Sequence, residues 1–247
     1  MTPLLEIKQI RKHYGAIKAV DGVSFSVGPG EIVGVIGPNG SGKTTLFNCV
    51  LGQIRPTSGR VEFCGEDITG CSPLDLSRRG VGRTFQSLQV FNKLSVKDNL
   101  IAAAQEFQGS LRRRLFMAPD AGLGERTRRM MDLFRLSSAA DLPAGSLSYG
   151  QQKLVDIAMA FMASPRLVLL DEPCAGVDLG LQETLRDLLL ELNRSQGGTF
   201  VVIEHNMDFV MRLCQRVVCM NEGTVLAHGT PAEVQSNGAV LEAYLGK

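Results

Sequence analysis

Residues Gly37-Pro38-Asn39-Gly40-Ser41-Gly42-Lys43-Thr44 have the spacing G-x-x-x-x-G-K-T, directly after the apolar run Glu31 to Ile36. Glycines at these positions let backbone N–H groups wrap around phosphates without Cβ clashes. A helix beginning near Lys43 adds the favourable field that a helix N-terminus offers an anion. Lys43 then reaches β- and γ-phosphates, and the Thr44 hydroxyl is placed to ligate Mg²⁺. Thr45, next in the same helix start, is counted with the nucleotide contacts. A second feature is Arg166-Leu167-Val168-Leu169-Leu170-Asp171-Glu172, an apolar strand ending in two acids. Asp171 at the strand edge can hold Mg²⁺ directly or through water. Glu172 beside it can polarise an attacking water as a general base. A third is Ser148 and Gly150, just ahead of an amphipathic helical pattern, where they form a second anion-favouring helix start. A serine at such a position also serves as an ordinary N-cap.

These residues need a scaffold, and its elements are visible. Glu31 to Ile36, Arg166 to Leu170, Thr199 to Ile203 and Arg216 to Met220 are short runs rich in Val, Ile and Leu that do not alternate with polar residues. Such runs predict strands covered on both faces, as in a parallel sheet. Leu154, Ile157, Ala158, Phe161 and Met162 recur at helical spacing, as do Leu181, Leu185, Leu188 and Leu192. Strand–helix alternation of this kind predicts an α/β fold. Leu5-Glu6-Ile7 and Val23-Ser24-Phe25-Ser26-Val27 alternate between Gly and Pro turns and predict an antiparallel layer. From Val96 to about Leu142 the pattern is mostly helical, broken at Gly109-Ser110, Pro119 and Gly122 to Gly124. This segment carries Arg112, Arg113, Arg114, Arg126, Arg128 and Arg129. They form either a solvated basic helix surface or a contact for lipid headgroups or a membrane partner. The expected division is a core of residues 1–95 and 163–247 with an inserted helical part, 96–162.

The bulk composition narrows the class. The formal charge is +1, so nothing in it asks for nucleic acid as a partner. Cys49, Cys64, Cys71, Cys174, Cys214 and Cys219 form no C-x-x-C pair and no metal-ligand spacing. They read as reduced thiols rather than a zinc site. The N-terminus lacks a basic-then-apolar leader pattern, and no apolar stretch approaches the ~18 residues of a membrane span. A cytosolic protein is expected, reaching any membrane through a partner.

Leu147-Ser148-Tyr149-Gly150-Gln151-Gln152 resembles the signature sequence of ABC transporter ATPases, with Tyr149 where the most frequent form has Gly. The resemblance extends along the chain. Gln86 matches the Q-loop glutamine, whose amide touches Mg²⁺ and the attacking water. Ala175-Gly176-Val177-Asp178 matches the D-loop. His205 matches the switch histidine at the γ-phosphate, and Tyr14 the aromatic that stacks on adenine. The implied fold is an α/β P-loop NTPase core of the ABC ATPase type, with an N-terminal antiparallel β layer and an inserted helical subdomain. The implied activity is ATP hydrolysis with Mg²⁺. Catalytic roles fall on Glu172, His205 and Gln86, and metal contacts on Thr44, Gln86 and Asp171. In such proteins the signature of one subunit caps the nucleotide of another. A head-to-tail dimer closed by ATP is therefore implied.

The runs Gly82-Arg83-Thr84-Phe85-Gln86, Ile203-Glu204-His205-Asn206-Met207-Asp208 and Leu241-Glu242-Ala243-Tyr244-Leu245-Gly246 narrow the resemblance to the LivG-type ATPases of branched-chain amino acid importers. Implied partners are transmembrane permease subunits, a second ATPase of LivF type or a second copy, and indirectly a periplasmic binding protein. The implied place is the cytoplasmic face of the inner membrane. Asp178-Leu179-Gly180 departs from the Asn-Pro frequent in this D-loop, and Asn206 from the frequent Asp. Related importers carry urea, amides or aromatic compounds, and a lipopolysaccharide-type export motor is also similar. The Arg83-Thr84-Phe85-Gln86 run argues against export. ABC ATPases acting on nucleic acid or ribosomes carry a coiled-coil insert or two ATPase units, neither of which is found in this sequence.

Overall fold

The frame is set by two hydrophobic layers on opposite faces of one sheet. The computed structural model describes residues 2–84, 88–104 and 122–245. Strands β3 (Ile32–Ile36), β6 (Val81–Arg83), β7 (Leu167–Asp171), β8 (Thr199–Ile203), β9 (Arg216–Asn221) and β10 (Thr224–Gly229) form this sheet in the order β10-β9-β3-β8-β7-β6. All neighbours are parallel except β10 and β9. Every residue of β3, β7 and β8 is buried, as the unbroken apolar runs predict. Ile32, Ile36, Val168, Leu170, Phe200 and Val202 enter one core, while Val33, Val35, Leu167, Leu169, Val201 and Ile203 enter the other. Period-2 geometry thus shares each strand between two layers.

One layer is an antiparallel sheet of β1 (Leu5–Tyr14), β2 (Ile17–Val27), β4 (Ser58–Phe63) and β5 (Glu66–Asp67), in the order β2-β1-β4-β5. Its core also takes in the inner face of helix α1 (Lys43–Val50). A small helix, α2 (Pro73–Arg78), follows this sheet. The other layer holds α3 (Val96–Ala103), α4 (Leu123–Leu133), α5 (Tyr149–Phe161), α6 (Leu179–Gln196) and α7 (Met207–Leu213), followed by α8 (Pro231–Gln235) and α9 (Gly238–Leu245). Leu100 of α3, Phe134 just after α4 and Leu154 of α5 share one buried cluster with Leu192 of α6 and Phe200 of β8. Phe161 meets Phe200 edge-on at 5.6 Å and Phe134 at 6.2 Å, geometries that suit the aromatic quadrupole.

The sequence-predicted strands recur with ends shifted by a residue. Glu31 precedes β3: its backbone N–H closes a turn onto the Gly28 carbonyl (3.3 Å), and its carboxylate has partners of its own. It accepts from Gly28 N–H (2.7 Å) and pairs with Arg216 Nε (2.7 Å). Arg216 also donates to the Ser26 carbonyl, so this pair ties β2 to the parallel sheet. β1 runs past Ile7 to Tyr14 by way of an irregularity around Gln9, whose φ is 50°. Arg126, Arg128 and Arg129 lie on α4, where Arg129 pairs with Glu125 and Arg126 reaches Ser164 Oγ at 3.5 Å. Arg112, Arg113 and Arg114 lie outside the described residues.

Burial works to raise the Glu31 pKa, but Arg216 and the Gly28 N–H together hold it below its ordinary value. A depressed carboxylate contributes stability above its unfolded pKa and loses it as pH falls through the folded one. Arg216→Ala is expected to lower unfolding stability at pH 7 by about 1–3 kcal/mol. In urea melts at stepped pH the difference from wild type should shrink as the pH drops below the ordinary carboxylate range. A gap that stays constant down to pH 3 would contradict this role for the pair.

Candidate active site

The loop after β3 is wedged between three pieces of backbone. Gly37 has φ 148° and Gly42 φ 99°; a Cβ on Gly37 would stand 2.2 Å from the Met220 carbonyl oxygen, and one on Gly42 2.2 Å from that of Ala19. Only glycine fits these positions. The turn between β9 and β10 fastens the same loop to β2: Gly223 N–H donates to the Ser41 carbonyl (3.0 Å) and Asp21 N–H to the Gly223 carbonyl (2.7 Å). Gly42 is the N-cap of α1 and supplies no side-chain cap, which leaves the first N–H groups of that helix without a side-chain acceptor from the cap.

Lys43 is buried, and its ammonium folds back into the loop. It donates to the carbonyls of Gly37 (2.8 Å) and Pro38 (3.0 Å), with Ser41 Oγ at 3.4 Å. Burial lowers its pKa, against the opposing pull of Glu172, Cys219 and Asp171. Thr44 is exposed and Thr45 half-buried on the first turn of α1, while Asn39 and Gly40 are exposed at the tip of the loop.

Register brings the acids to this loop. Val35 of β3 lies beside Ile203 of β8, and Ile203 beside Asp171 of β7. Within two residues beyond this row lie Gly37, Glu204–His205 and Glu172, at the carboxyl ends of three adjacent strands. This is the edge where open α/β sheets bind ligands. Asp171 is buried, its backbone N–H donates to Thr84 Oγ1 (3.2 Å), and Arg83 Nη2 lies 3.8 Å from its carboxylate. Burial pushes the Asp171 pKa up, against the nearby Arg83 charge. Glu172 adopts φ 48°, a left-handed conformation that costs a non-glycine residue on the order of 1 kcal/mol. Its N–H is held by the Ile203 carbonyl at 2.9 Å. Its carboxylate reaches His205 Nε2 at 3.2 Å. A carboxylate oriented by an imidazole, next to a buried lysine and a second carboxylate, can take a proton from water near bound phosphates.

Thus the structure gathers Lys43, Asp171, Glu172 and His205. Ser148 and Asp178 stand elsewhere, at the starts of α5 and α6. Ser148 Oγ accepts from Gln151 N–H (3.3 Å), and Gln151 Oε1 accepts from Ser148 N–H (3.2 Å), forming a capping box. Asp178 caps α6 through Leu181 N–H (2.9 Å). Gly150 sits in the first turn of α5, and Tyr149 lies against Gly176 of the adjoining turn. Among the described residues no hydrogen bond joins Ser148, Gly150 or Asp178 to the loop Gly37–Thr44. Tyr14 ends β1 with its ring about half exposed (48%), and Lys12 Nζ lies 4.9 Å from the ring centroid. Gln86 lies outside the described residues. Sequence reasoning gave no role to Glu204, a carboxylate only 3% exposed directly after β8. The available signal was an acid at the end of an all-apolar strand, where burial requires a partner.

Comparison with known proteins agrees with this geometry. Residues 20–175 match the ABC transporter family, and residues 224–247 match the branched-chain amino acid ATP-binding cassette transporter family. The chain is 36% identical to the branched-chain amino acid transport ATP-binding protein BraF of Pseudomonas aeruginosa and 35% identical to LivG of Escherichia coli. Each alignment covers 99% of this chain and 98% of the relative. The ADP conformation of an ATP-binding cassette from an ABC transporter superposes with a TM-score of 0.89 at 36% identity, over the whole of both chains. A dimeric post-hydrolysis cassette bound to ADP and phosphate superposes at 0.76 with 25% identity, over 92% of this chain and 98% of the other. The glycine loop, the paired acids at the sheet edge and the full-length identity lead to one conclusion: the chain belongs to the ABC transporter family of ATP-binding cassettes, in the group that includes LivG and BraF.

Proposed function

We propose that this chain is the ATP-hydrolysing subunit of an importer for branched-chain or related amino acids. The observation that carries the catalytic part is the Glu172–His205 pair, 3.2 Å apart, next to Lys43 at the carboxyl ends of β3, β8 and β7. ATP lies along the loop, its phosphates held by the backbone N–H groups of Gly37–Thr45 and by Lys43, which exchanges its carbonyl partners for phosphate oxygens. Tyr14 offers its exposed ring to the adenine. Glu172 accepts the proton of the water that attacks the γ-phosphorus, and His205 orients Glu172 and contacts the transferred phosphoryl group. The products are ADP and inorganic phosphate.

The Thr44 hydroxyl and the Asp171 carboxylate are hard oxygen donors of the kind Mg²⁺ prefers, and a site of one carboxylate completed by substrate phosphates is its usual arrangement. With Gln86, assigned by its sequence match alone, these donors would hold the ion, which would supply charge neutralisation for the phosphates.

Ser148, Gly150 and Asp178 act on the nucleotide of a second subunit. The similarity to a dimeric cassette supports a dimer, and the resemblance of the signature implies a head-to-tail arrangement with a LivF-like ATPase or a second copy as partner. ATP closes this dimer because the closed state binds it more tightly, and hydrolysis releases it. The helical part, residues 96–162, is the inserted subdomain that carries Ser148 and Gly150. Among the described residues no helix is long and apolar enough to cross a membrane. The likeness to LivG and BraF supports a chain that works from the cytoplasmic face, docked on permease subunits that receive cargo from a periplasmic binding protein. Import is tested by reconstituting the chain with permeases, a second ATPase and a binding protein of a branched-chain amino acid importer. ATP-dependent uptake of leucine or a related amino acid is expected, and extraction of a lipid instead would overturn import.

Two substitutions test the chemistry. Lys43→Ala is expected to weaken binding of a fluorescent ATP analogue by roughly tenfold or more; an unchanged Kd would remove Lys43 from the phosphate site. Glu172→Gln is expected to keep that Kd while turnover falls on the order of 10²–10⁴-fold and an ATP-bound dimer accumulates on a sizing column. Normal hydrolysis by this variant would exclude Glu172 as the base.

A further inference from the structure

Glu204 is a buried carboxylate at which two loops meet. Its Oε1 accepts from Cys174 N–H at 2.6 Å, and its Oε2 from His205 N–H at 2.9 Å and Asn206 N–H at 3.2 Å. The first donor belongs to the turn that follows Glu172. The other two belong to the loop that carries His205. A carboxylate is an acceptor-only group, so three converging N–H donors match it and an amide does not.

The connection continues through side chains. Asn206 Oδ1 accepts from Phe209 N–H (3.1 Å), capping α7, while its Nδ2 donates to Gln182 Oε1 (2.8 Å). Gln182 Nε2 in turn donates to the Val177 carbonyl (3.0 Å), beside Asp178. An aspartate at 206 would keep the cap but lose the donor to Gln182. Asn206 therefore extends the connection to the turn before α6.

We infer that Glu204 is a positioning residue that clamps the turn after Glu172 to the His205 loop and so fixes the Glu172–His205 pair in its 3.2 Å register. The inference rests on the reading of Glu172 and His205 proposed above. Glu204 touches neither the phosphate loop nor Lys43 by any hydrogen bond among the described residues. Its loss should therefore separate turnover from nucleotide binding. Glu172 already sits at positive φ, so its carboxylate is held in place by what surrounds the turn. Small displacements of a catalytic group are costly in rate.

The test uses the full chain with E204Q, which keeps the size of the side chain but turns an NH₂ group toward one set of N–H donors. Steady-state ATPase with Mg²⁺, binding of a fluorescent ATP analogue and amide hydrogen exchange are measured together. The expected result is turnover reduced on the order of tenfold to a hundredfold, KM and Kd within about twofold of wild type, and faster exchange at Cys174, His205 and Asn206. Unchanged turnover and exchange would overturn the inference, as would nucleotide affinity falling in step with turnover. Should E204Q fail to fold, the wild-type exchange decides: the three amides are expected to be protected together, and exchange at the rate of open loops would overturn the clamp. E172Q run in parallel separates the two claims. Full activity of E172Q removes the proposed base, while the exchange result still reads the clamp.

Discussion

The loop from Gly37 to Thr44 is pressed against the carbonyl oxygens of Ala19 and Met220, and the rest of the site depends on that contact. At these two approaches a Cβ would come within 2.2 Å of an oxygen, so the backbone passes only as glycine. The carbonyls come from different layers, one from β2 of the antiparallel sheet and one from β9 of the parallel sheet. The loop is thereby fixed relative to both, and the Gly223 turn adds hydrogen bonds to Ser41 and Asp21. This explains why an antiparallel layer belongs to the proposed phosphate site, which it does not line with charge. It forms the wall against which the loop takes its curvature.

Parallel pairing then does the work of assembly. Because Val35, Ile203 and Asp171 share one row, groups far apart in sequence emerge side by side at the sheet edge. The buried ammonium of Lys43 is stabilised there by loop carbonyls and by the field of Glu172 and Asp171. These are interactions that an anionic ligand would replace and strengthen. The cost of the arrangement is local: a left-handed Glu172 and a buried Asp171 with an upward-shifted pKa. Strain and desolvation concentrated where reacting groups meet are a usual mark of a functional site.

Much of this was legible in the sequence, for physical reasons. Apolar runs without alternation give strands covered on both sides, and all four expected strands recur. The loop was readable because its glycines are dictated by backbone approach, and α1 begins at Lys43 as expected. The short strands β4, β5, β6 and β10 were not identified. They are two to six residues long, and β10 is only half-buried, so neither length nor burial leaves a period to detect. Ser148 proved to be both a candidate nucleotide contact and a capping-box residue, which motif spacing alone does not separate. Glu204 was quoted only as part of a run. Its hydrogen bond from Cys174 N–H crosses between loops and leaves no local sequence pattern.

Lys43 is the group on which phosphate binding, the paired acids and the glycine loop converge. A structure of the full chain with Mg²⁺ and a non-hydrolysable ATP analogue tests that convergence directly. The account predicts that Lys43 Nζ leaves the Gly37 and Pro38 carbonyls for phosphate oxygens, with the terminal phosphate facing Glu172 and His205. Phosphates bound elsewhere, with Lys43 still on its two carbonyls, would contradict it.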